Sequence, residues 1–170
     1  MPDGTGEVRV GVPSAAAMRA LGARVAGLLG PGDLAILAGP LGAGKTTLVQ
    51  GIGAGLEVRG PITSPTFVIA RVHPSLRGGP DLVHADAYRL GSRLEVDDLD
   101  LDADVPASVT VVEWGEGLVE GLSDAHLLVT LGWQGQPGGD QDDEPRQVTV
   151  TGYGDRWIAA ADQLRKVLLS

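Results

Sequence analysis

The sequence predicts an α/β fold in which helices cover both faces of a mainly parallel central sheet. The first observation behind this prediction is that short apolar runs alternate with segments of helical periodicity along the 170 residues, a pattern typical of parallel sheets. The second is a glycine-rich segment, residues 39–46, directly after the apolar run 34–38 and directly before a helical pattern. Ligands of such folds bind at the carboxyl edge of the strands, so the functional site is expected there.

The helices are predicted from caps and from the spacing of apolar residues. Ser14 can cap a first helix, because apolar side chains recur every three or four positions between residues 18 and 28. The helix after the glycine-rich segment is expected to end among the three glycines of residues 51–55. Residues 157–168 predict a closing helix with Trp157 on its apolar face.

Short apolar runs bounded by turn-forming residues predict five strands after the glycine-rich segment. These runs are residues 67–72, 82–85, 109–112, 127–131 and 147–151. Residues 60–65 are expected to form a loop, because Gly60 and two prolines break regular structure. Residues 134–145, rich in Gly, Pro and acidic side chains, are expected to be a mobile loop within a single domain, 1–170.

Composition and charge limit the class of protein. With 43% hydrophobic residues the chain can bury a core, and the absence of cysteine excludes disulfides and thiolate metal sites. The first ten residues lack the basic flank and apolar stretch of a signal peptide, and no run has the length of a membrane span, so we expect a soluble cytoplasmic protein. A net charge of −9 argues against a protein that binds nucleic acid on its own, because Lys and Arg hold phosphate backbones.

The glycine-rich segment reads G-P-L-G-A-G-K-T, the pattern of a phosphate-binding loop between a strand and a helix. Its glycines let successive N–H groups point inward at a triphosphate, and the next helix adds the positive end of its dipole. Lys45 would reach the β and γ phosphates, and the Thr46 hydroxyl would be one Mg²⁺ ligand. The alternative, a glycine-rich turn without function, is disfavoured by the flanking strand and helix. The expected nucleotide-binding residues here are Gly42, Ala43, Gly44, Lys45, Thr46 and Thr47.

Two acidic residues follow predicted strands. Asp86 lies where a second Mg²⁺-organising carboxylate is expected, although an aspartate starting a loop can also be merely solvated. Glu113 reaches the same edge if the strands are parallel, and it could bind Mg²⁺, act through a water or orient the attacking water. Both are candidate catalytic residues together with Lys45. His84 is interpreted as a packed or hydrogen-bonding histidine, and Trp114, from sequence alone, as a core residue.

A hydroxyl-rich segment formed by Thr63, Ser64 and Thr66 lies about one helix downstream of the phosphate-binding loop. This is the placement of a nucleotide-sensing switch, whose hydroxyls could join the Mg²⁺ shell when a γ-phosphate is bound. The alternative is that these hydroxyls make local hydrogen bonds in a turn. The residues alone leave both interpretations open.

Taken together, these motifs resemble the TsaE family, bacterial ATPases required for threonylcarbamoyladenosine formation on tRNA. The resemblance spans most of the chain. It is carried by G-P-L-G-A-G-K-T-T at 39–47, T-S-P-T-F at 63–67, H-A-D-A-Y-R-L at 84–90 and V-V-E-W at 111–114. It implies a P-loop NTPase-like three-layer αβα sandwich, with ATP and Mg²⁺ as cofactors.

The resemblance also implies roles for individual residues. Thr46, Asp86 and Glu113 become the metal-site residues, and Trp114 becomes a functional residue. Thr66 is placed in the switch-like segment. More weakly, the resemblance puts Ser14 near the adenine and Arg146 near the nucleotide. Two features depart from the family: Gly115, Glu116 and Gly117 follow the Glu-Trp pair where many members have a basic residue, and residues 134–145 are long and acidic.

The function that follows is a Mg²⁺-dependent ATPase subunit of the tRNA-modifying machinery, which hydrolyses ATP to ADP and phosphate while docked on TsaB and TsaD partners. The tRNA would be reached only indirectly, through the complex, and the isolated protein would be monomeric, with no membrane contact. One alternative is a small-molecule kinase, although no arginine-rich lid is visible. The other is a nucleotide-dependent binding switch with little turnover.

Overall fold

The computed structural model describes residues 4–40, 42–62, 70–86, 107–113, 125–133 and 145–169. Within these residues, seven strands form one sheet. The strands are β1 (Val8–Val12), β2 (Leu34–Ala38), β3 (Ala70–His73), β4 (Asp81–Asp86), β5 (Ser108–Glu113), β6 (His126–Trp133) and β7 (Arg146–Tyr153). The helices are α1 (Ala15–Ala26), α2 (Lys45–Leu56), α3 (Asp155–Ala159) and α4 (Ala161–Leu168). No helix in these parts of the chain is both long and apolar enough to cross a membrane.

The sheet has the strand order β1-β7-β6-β2-β5-β4-β3. Its centre is parallel, because β2 pairs in parallel with both β5 and β6, and β5 pairs in parallel with β4. The two flanks are antiparallel, with β7 between β1 and β6 on one side and β3 beside β4 on the other. A connection as short as the one between β3 and β4 can join antiparallel strands, whereas parallel strands need a longer crossover. The predicted α/β fold is therefore confirmed, with its parallel pairing confined to the centre.

Strand β1 was not predicted, although its sequence carries the signal. Val8, Val10 and Val12 are buried and the residues between them are exposed, which is the two-residue period of an edge strand with one face on the core. It pairs with β7, far away in the sequence. The predicted closing helix is also modified, because Ala160 leaves helical geometry and divides it into α3 and α4. The start of the predicted strand 67–72 lies outside the described residues.

The core forms between the sheet and the helices. On β2, Ala35 and Leu37 share a cluster with buried side chains of all four helices. The alternate residues Leu34 and Ile36 point to the opposite face, and both are fully buried. Both faces of the central strands are therefore shielded from solvent, as a three-layer fold requires.

Helix α2 does not end at the glycines of residues 51–55; it runs through them to Leu56. The prediction was wrong because these glycines serve packing instead of termination. A Cβ atom on Gly51 would collide with the backbone of Arg19 in α1, and one on Gly22 would collide with the carbonyl oxygen of Leu48. Glycine at such positions lets the two helix backbones approach closely. The close crossing fixes α2, and with it the loop at its N-terminus, on the sheet.

Candidate functional site

The glycine-rich segment connects the end of β2 to the start of α2 through a backbone that other residues would strain. Gly39 and Gly44 have φ angles of 148° and 107°, in the region that L side chains rarely adopt. The space around them is also closed: a Cβ on Gly39 would lie 2.5 Å from the carbonyl oxygen of Leu131, and one on Gly44 would lie 3.1 Å from Cε of Met18. The loop is thus held between β6 and α1. Leu41 lies outside the described residues.

Lys45 is the first residue of α2, and its side chain is buried, with 6% of the residue exposed. Its Nζ donates to the carbonyl oxygens of Gly39 at 2.6 Å and Pro40 at 3.1 Å. The ammonium group is therefore folded back under the loop. The first turn of α2 contains no acidic residue. An ammonium group and the positive end of a helix dipole both favour an anion at this position.

The other loop residues occupy the positions expected around such an anion. Ala43 is buried, Gly42 is exposed, and Thr46 and Thr47 are half-buried in the first turn of α2. The N–H groups of a first turn have no partner within the helix and can bind phosphate oxygens. A threonine hydroxyl in this turn is a hard oxygen donor of the kind that Mg²⁺ prefers.

Glu113 and Asp86 end two adjacent parallel strands, and they are register partners. Glu113 is also the register partner of Leu37 on β2, two residues before Gly39. The carboxyl ends of β2, β5 and β4 therefore meet at one edge of the sheet, beside the loop. This is the placement that the sequence predicted for both acidic residues. The side chain of Asp86 lies outside the described part of the structure.

His84 makes a contact that the sequence did not predict. Its Nε2 lies 2.6 Å from Oε2 of Glu113, with 0% of His84 and 4% of Glu113 exposed. A carboxylate oxygen accepts and an imidazole N–H donates, so the hydrogen bond runs from His84 to Glu113. Interpreting His84 as a hydrogen-bonding histidine was correct, but its partner was missed. Side chains alternate between the two faces of a strand, so His84 shares a face with Leu82, and Glu113 shares a face with Val111. Leu82 and Val111 both pack in the core with α1 and α2, so the signal for this contact is that His84 and Glu113 lie on the same face of the sheet.

A pocket opens beside the loop, and its walls come from three separate segments of the chain. Its lining residues are Ser14, Ala15, Met18, Gly42, Gly44, Thr47 and Arg146. Ser14 is the cap of α1, as predicted: its Oγ accepts the N–H of Ala17 at 3.1 Å. The structure thus brings Ser14 and Arg146 to the same pocket as the first turn of α2.

Arg146 begins β7 and is buried, with 8% of the residue exposed. Its Nη2 donates to the carbonyl oxygen of Gly42 at 3.2 Å, and its guanidinium carbon lies 5.4 Å from the ring centroid of Trp133. Trp133 and Arg146 are register partners on β6 and β7. Sequence reasoning did not single out Trp133. Arg146 therefore brings a cation to the pocket, and the Trp133 ring packs against that cation.

Several predicted residues lie outside the described part of the chain. They are the switch-like residues Thr63, Ser64 and Thr66, the tryptophan Trp114, and residues 134–144 of the acidic loop. Their predicted roles remain predictions.

A family model and two named relatives all identify the same family. The model of the family described as threonylcarbamoyl adenosine biosynthesis protein TsaE matches residues 12–138. A protein of Streptomyces coelicolor, named tRNA threonylcarbamoyladenosine biosynthesis protein TsaE, is 60% identical over 144 residues, which are 84% of this chain and 95% of that protein. A protein of the same name from Bacillus subtilis is 34% identical over 137 residues, 80% of each chain.

A solved structure supports the fold. The crystal structure of YdiB from Bacillus subtilis matches with a TM-score of 0.69 and 26% sequence identity, and the match covers 95% of this chain and 96% of that one. The likeness extends over nearly the whole of both chains. The fold is therefore of the P-loop NTPase-like type that the strand, loop and helix order predicted.

Proposed function

The chain belongs to the TsaE family, and from this premise we propose that it is a Mg²⁺-dependent ATPase that serves the machinery forming threonylcarbamoyladenosine on tRNA. The proposal draws on the family for the pathway and on the site for the chemistry. The observation that carries the chemistry is the meeting of Lys45, Asp86 and Glu113 at one edge of the sheet.

The phosphate-binding loop would hold the triphosphate. The N–H groups at the start of α2 are oriented along the helix axis toward the loop, where a bound anion gains from the helix dipole. Lys45 would exchange its hydrogen bonds to Gly39 and Pro40 for bonds to the β and γ phosphates. The pocket lined by Ser14 and Arg146 adjoins the loop, and it would take the nucleoside end of ATP.

The donor set fits magnesium. Thr46, Asp86 and Glu113 offer hydroxyl and carboxylate oxygens, and proteins usually bind Mg²⁺ through few such groups together with phosphates and water. When bound, Mg²⁺ would neutralise part of the negative charge of the triphosphate. Thr46 and Asp86 would hold it, and Glu113 would complete its shell directly or through a water.

Water would be the phosphoryl acceptor. Glu113 is buried at the strand end beside the loop, and a carboxylate there can orient the attacking water and accept its proton. Since His84 holds Oε2, the other oxygen of the carboxylate would face the reaction. In this proposal Lys45 binds and stabilises the transferring phosphoryl group, while Asp86 and Glu113 organise the metal and the water.

We assign the threonylcarbamoyl transfer itself to partner proteins of the TsaB and TsaD type, on which this chain would dock. A net charge of −9 at pH 7 disfavours direct binding of RNA, because phosphate backbones are held by basic side chains. The tRNA would therefore be contacted through the complex.

The proposed activity is tested by phosphate release from MgATP, measured with the protein alone and with TsaB and TsaD partners added. We expect hydrolysis that requires Mg²⁺ and is greatest in the complex. Phosphate transferred to a small acceptor without the partners would instead identify a kinase. ATP binding without phosphate release in any mixture would identify a binding switch.

A further inference from the structure

The buried pair of His84 and Glu113 has a consequence for catalysis beyond its contribution to packing. The two atoms Nε2 and Oε2 lie 2.6 Å apart, a short distance for a nitrogen donor and a carboxylate oxygen. His84 is fully buried on β4, and Glu113 is the last residue of the adjacent parallel strand β5. Strand β4 thus places the imidazole beside the carboxylate, on the side of Glu113 that faces the interior of the sheet.

A buried glutamate at a strand end can adopt more than one rotamer unless a hydrogen bond selects one of them. Among the described residues, His84 is the polar side chain that lies within hydrogen-bond distance of Glu113. A hydrogen bond to a charged group is stronger than one between neutral groups, particularly when both partners are buried. One oxygen of Glu113 is therefore fixed, and the direction of the other follows from it.

We propose that His84 is a positioning residue, which fixes the Glu113 carboxylate through Oε2 so that its other oxygen faces the water or the metal shell at the phosphate-binding loop. The inference rests on the proposed function, since it concerns the site that would hydrolyse ATP. It assigns His84 no contact with the nucleotide. Its effect is on the rate of the chemical step, because a misoriented Glu113 carboxylate weakens stabilisation of the transition state more than it weakens ATP binding.

The test compares kcat and the Kd for MgATP among variants of residue 84. In His84→Gln the side-chain amide can donate from nearly the position of Nε2, whereas in His84→Asn the shorter amide does not reach Glu113. We expect His84→Asn and His84→Leu to lower kcat roughly tenfold to a hundredfold, the range seen when groups that orient metal-site residues are removed. The Kd should stay within about threefold of the parent value, and His84→Gln should recover most of kcat. Equal rates for the Gln and Asn variants would overturn the proposal, and this comparison does not depend on the folding of the leucine variant.

His73 provides a matched control on the neighbouring strand β3. It is also a buried histidine, with 4% exposed, and its Nδ1 donates to the carbonyl oxygen of Arg59 at 3.1 Å. His73→Leu removes a buried imidazole without touching Glu113, so it should leave kcat near the parent value. If His73→Leu slows hydrolysis as much as His84→Leu, the loss comes from general disturbance of the sheet and the proposal fails.

A double substitution separates positioning from an independent role. If His84 acts through Glu113, then His84→Leu should not lower kcat further in a Glu113→Ala background. A further loss in the double variant would overturn the proposal. Lys45→Ala and Glu113→Ala separate the ATPase proposal from the positioning role of His84. Hydrolysis at the parent rate in these two variants would refute the ATPase proposal. Slow hydrolysis in both, together with hydrolysis at the parent rate in His84→Leu, would refute only the positioning role.

Discussion

Asp86 and Glu113 are register partners at the carboxyl ends of β4 and β5, so two acidic residues that are 27 positions apart in the sequence lie side by side at one edge of the sheet. The phosphate-binding loop leaves the same edge from β2, the parallel neighbour of β5 on its other side. This arrangement brings the cationic loop and the acidic strand ends together.

Lys45→Ala should abolish most of the ATPase activity. The substitution removes the ammonium group that is held under the loop by Gly39 and Pro40, and with it the charge expected to contact the β and γ phosphates. We expect kcat/KM for ATP to fall at least roughly a hundredfold, as when a single charge-stabilising donor is lost. The sequence has one other lysine, Lys166, which is exposed on α4, and Lys166→Ala is the matched control with an unchanged rate. Phosphate release measures both, and an active Lys45→Ala would exclude the assigned role.

Asp86→Asn should raise the Mg²⁺ requirement. The substitution keeps the size of the side chain but removes the negative charge at the end of β4, beside Glu113. We expect the Mg²⁺ concentration for half-maximal hydrolysis to rise about tenfold or more, by analogy with the loss of a group that supports a metal site. A Mg²⁺ titration of activity at saturating ATP measures this shift. The same half-maximal concentration in both proteins would remove Asp86 from the metal site.

Gly51→Ala should destabilise the protein. A Cβ at this position meets the backbone of Arg19, so the α1–α2 crossing would have to widen. Overpacking of this kind costs about 1–3 kcal/mol, which exceeds the gain of up to about 1 kcal/mol that alanine brings to a helix. Urea unfolding measures the free-energy difference. If Gly51 only weakened the helix, the alanine variant would be more stable than the parent, which is the opposite sign.

His73 should make stability depend on pH. Burial lowers the pKa of His73 below its ordinary value of 6.5, although its hydrogen bond to Arg59 opposes the shift. As the pH falls, His73 takes up a proton near pH 6.5 in the unfolded chain but only at a lower pH in the folded protein. The contribution of neutral His73 to the free energy of unfolding is therefore complete above pH 6.5 and is lost as the pH falls toward the lower folded pKa. His73→Asn keeps a donor for the Arg59 carbonyl without titrating. Unfolding at a series of pH values should show a shallower decline below pH 6.5 for this variant than for the parent; identical slopes would contradict the assignment.

The sequence predicted the parts of the site that depend on local signals. The phosphate-binding loop was recognised because glycines, lysine and threonine recur at fixed spacing between a strand and a helix. The shared edge of Asp86 and Glu113 followed from the general rule that parallel strands end together. Family resemblance added Ser14 and Arg146, and the structure places both at a pocket beside the loop.

What the sequence did not predict depends on contacts between distant segments. The hydrogen bond from His84 to Glu113 needs the register of β4 against β5, which neither strand specifies alone. Gly51 and Gly55 of α2 resemble helix breakers until α1 is packed against them. Strand β1 was missed because its partner, β7, lies at the other end of the chain. In each case a tertiary contact overrides or completes a weak local preference.

The central claim, that this chain serves tRNA modification by hydrolysing ATP, is tested most directly in a reconstituted system. The measurement is the number of threonylcarbamoyladenosine residues formed per complex of TsaB and TsaD, with the parent protein, without it, and with Glu113→Ala, whose binding of ATP is checked separately. We predict many turnovers with the parent protein and a loss of repeated turnover in the other two mixtures. Unchanged turnover without the protein would contradict its place in this reaction, and full turnover with Glu113→Ala would contradict the role of hydrolysis.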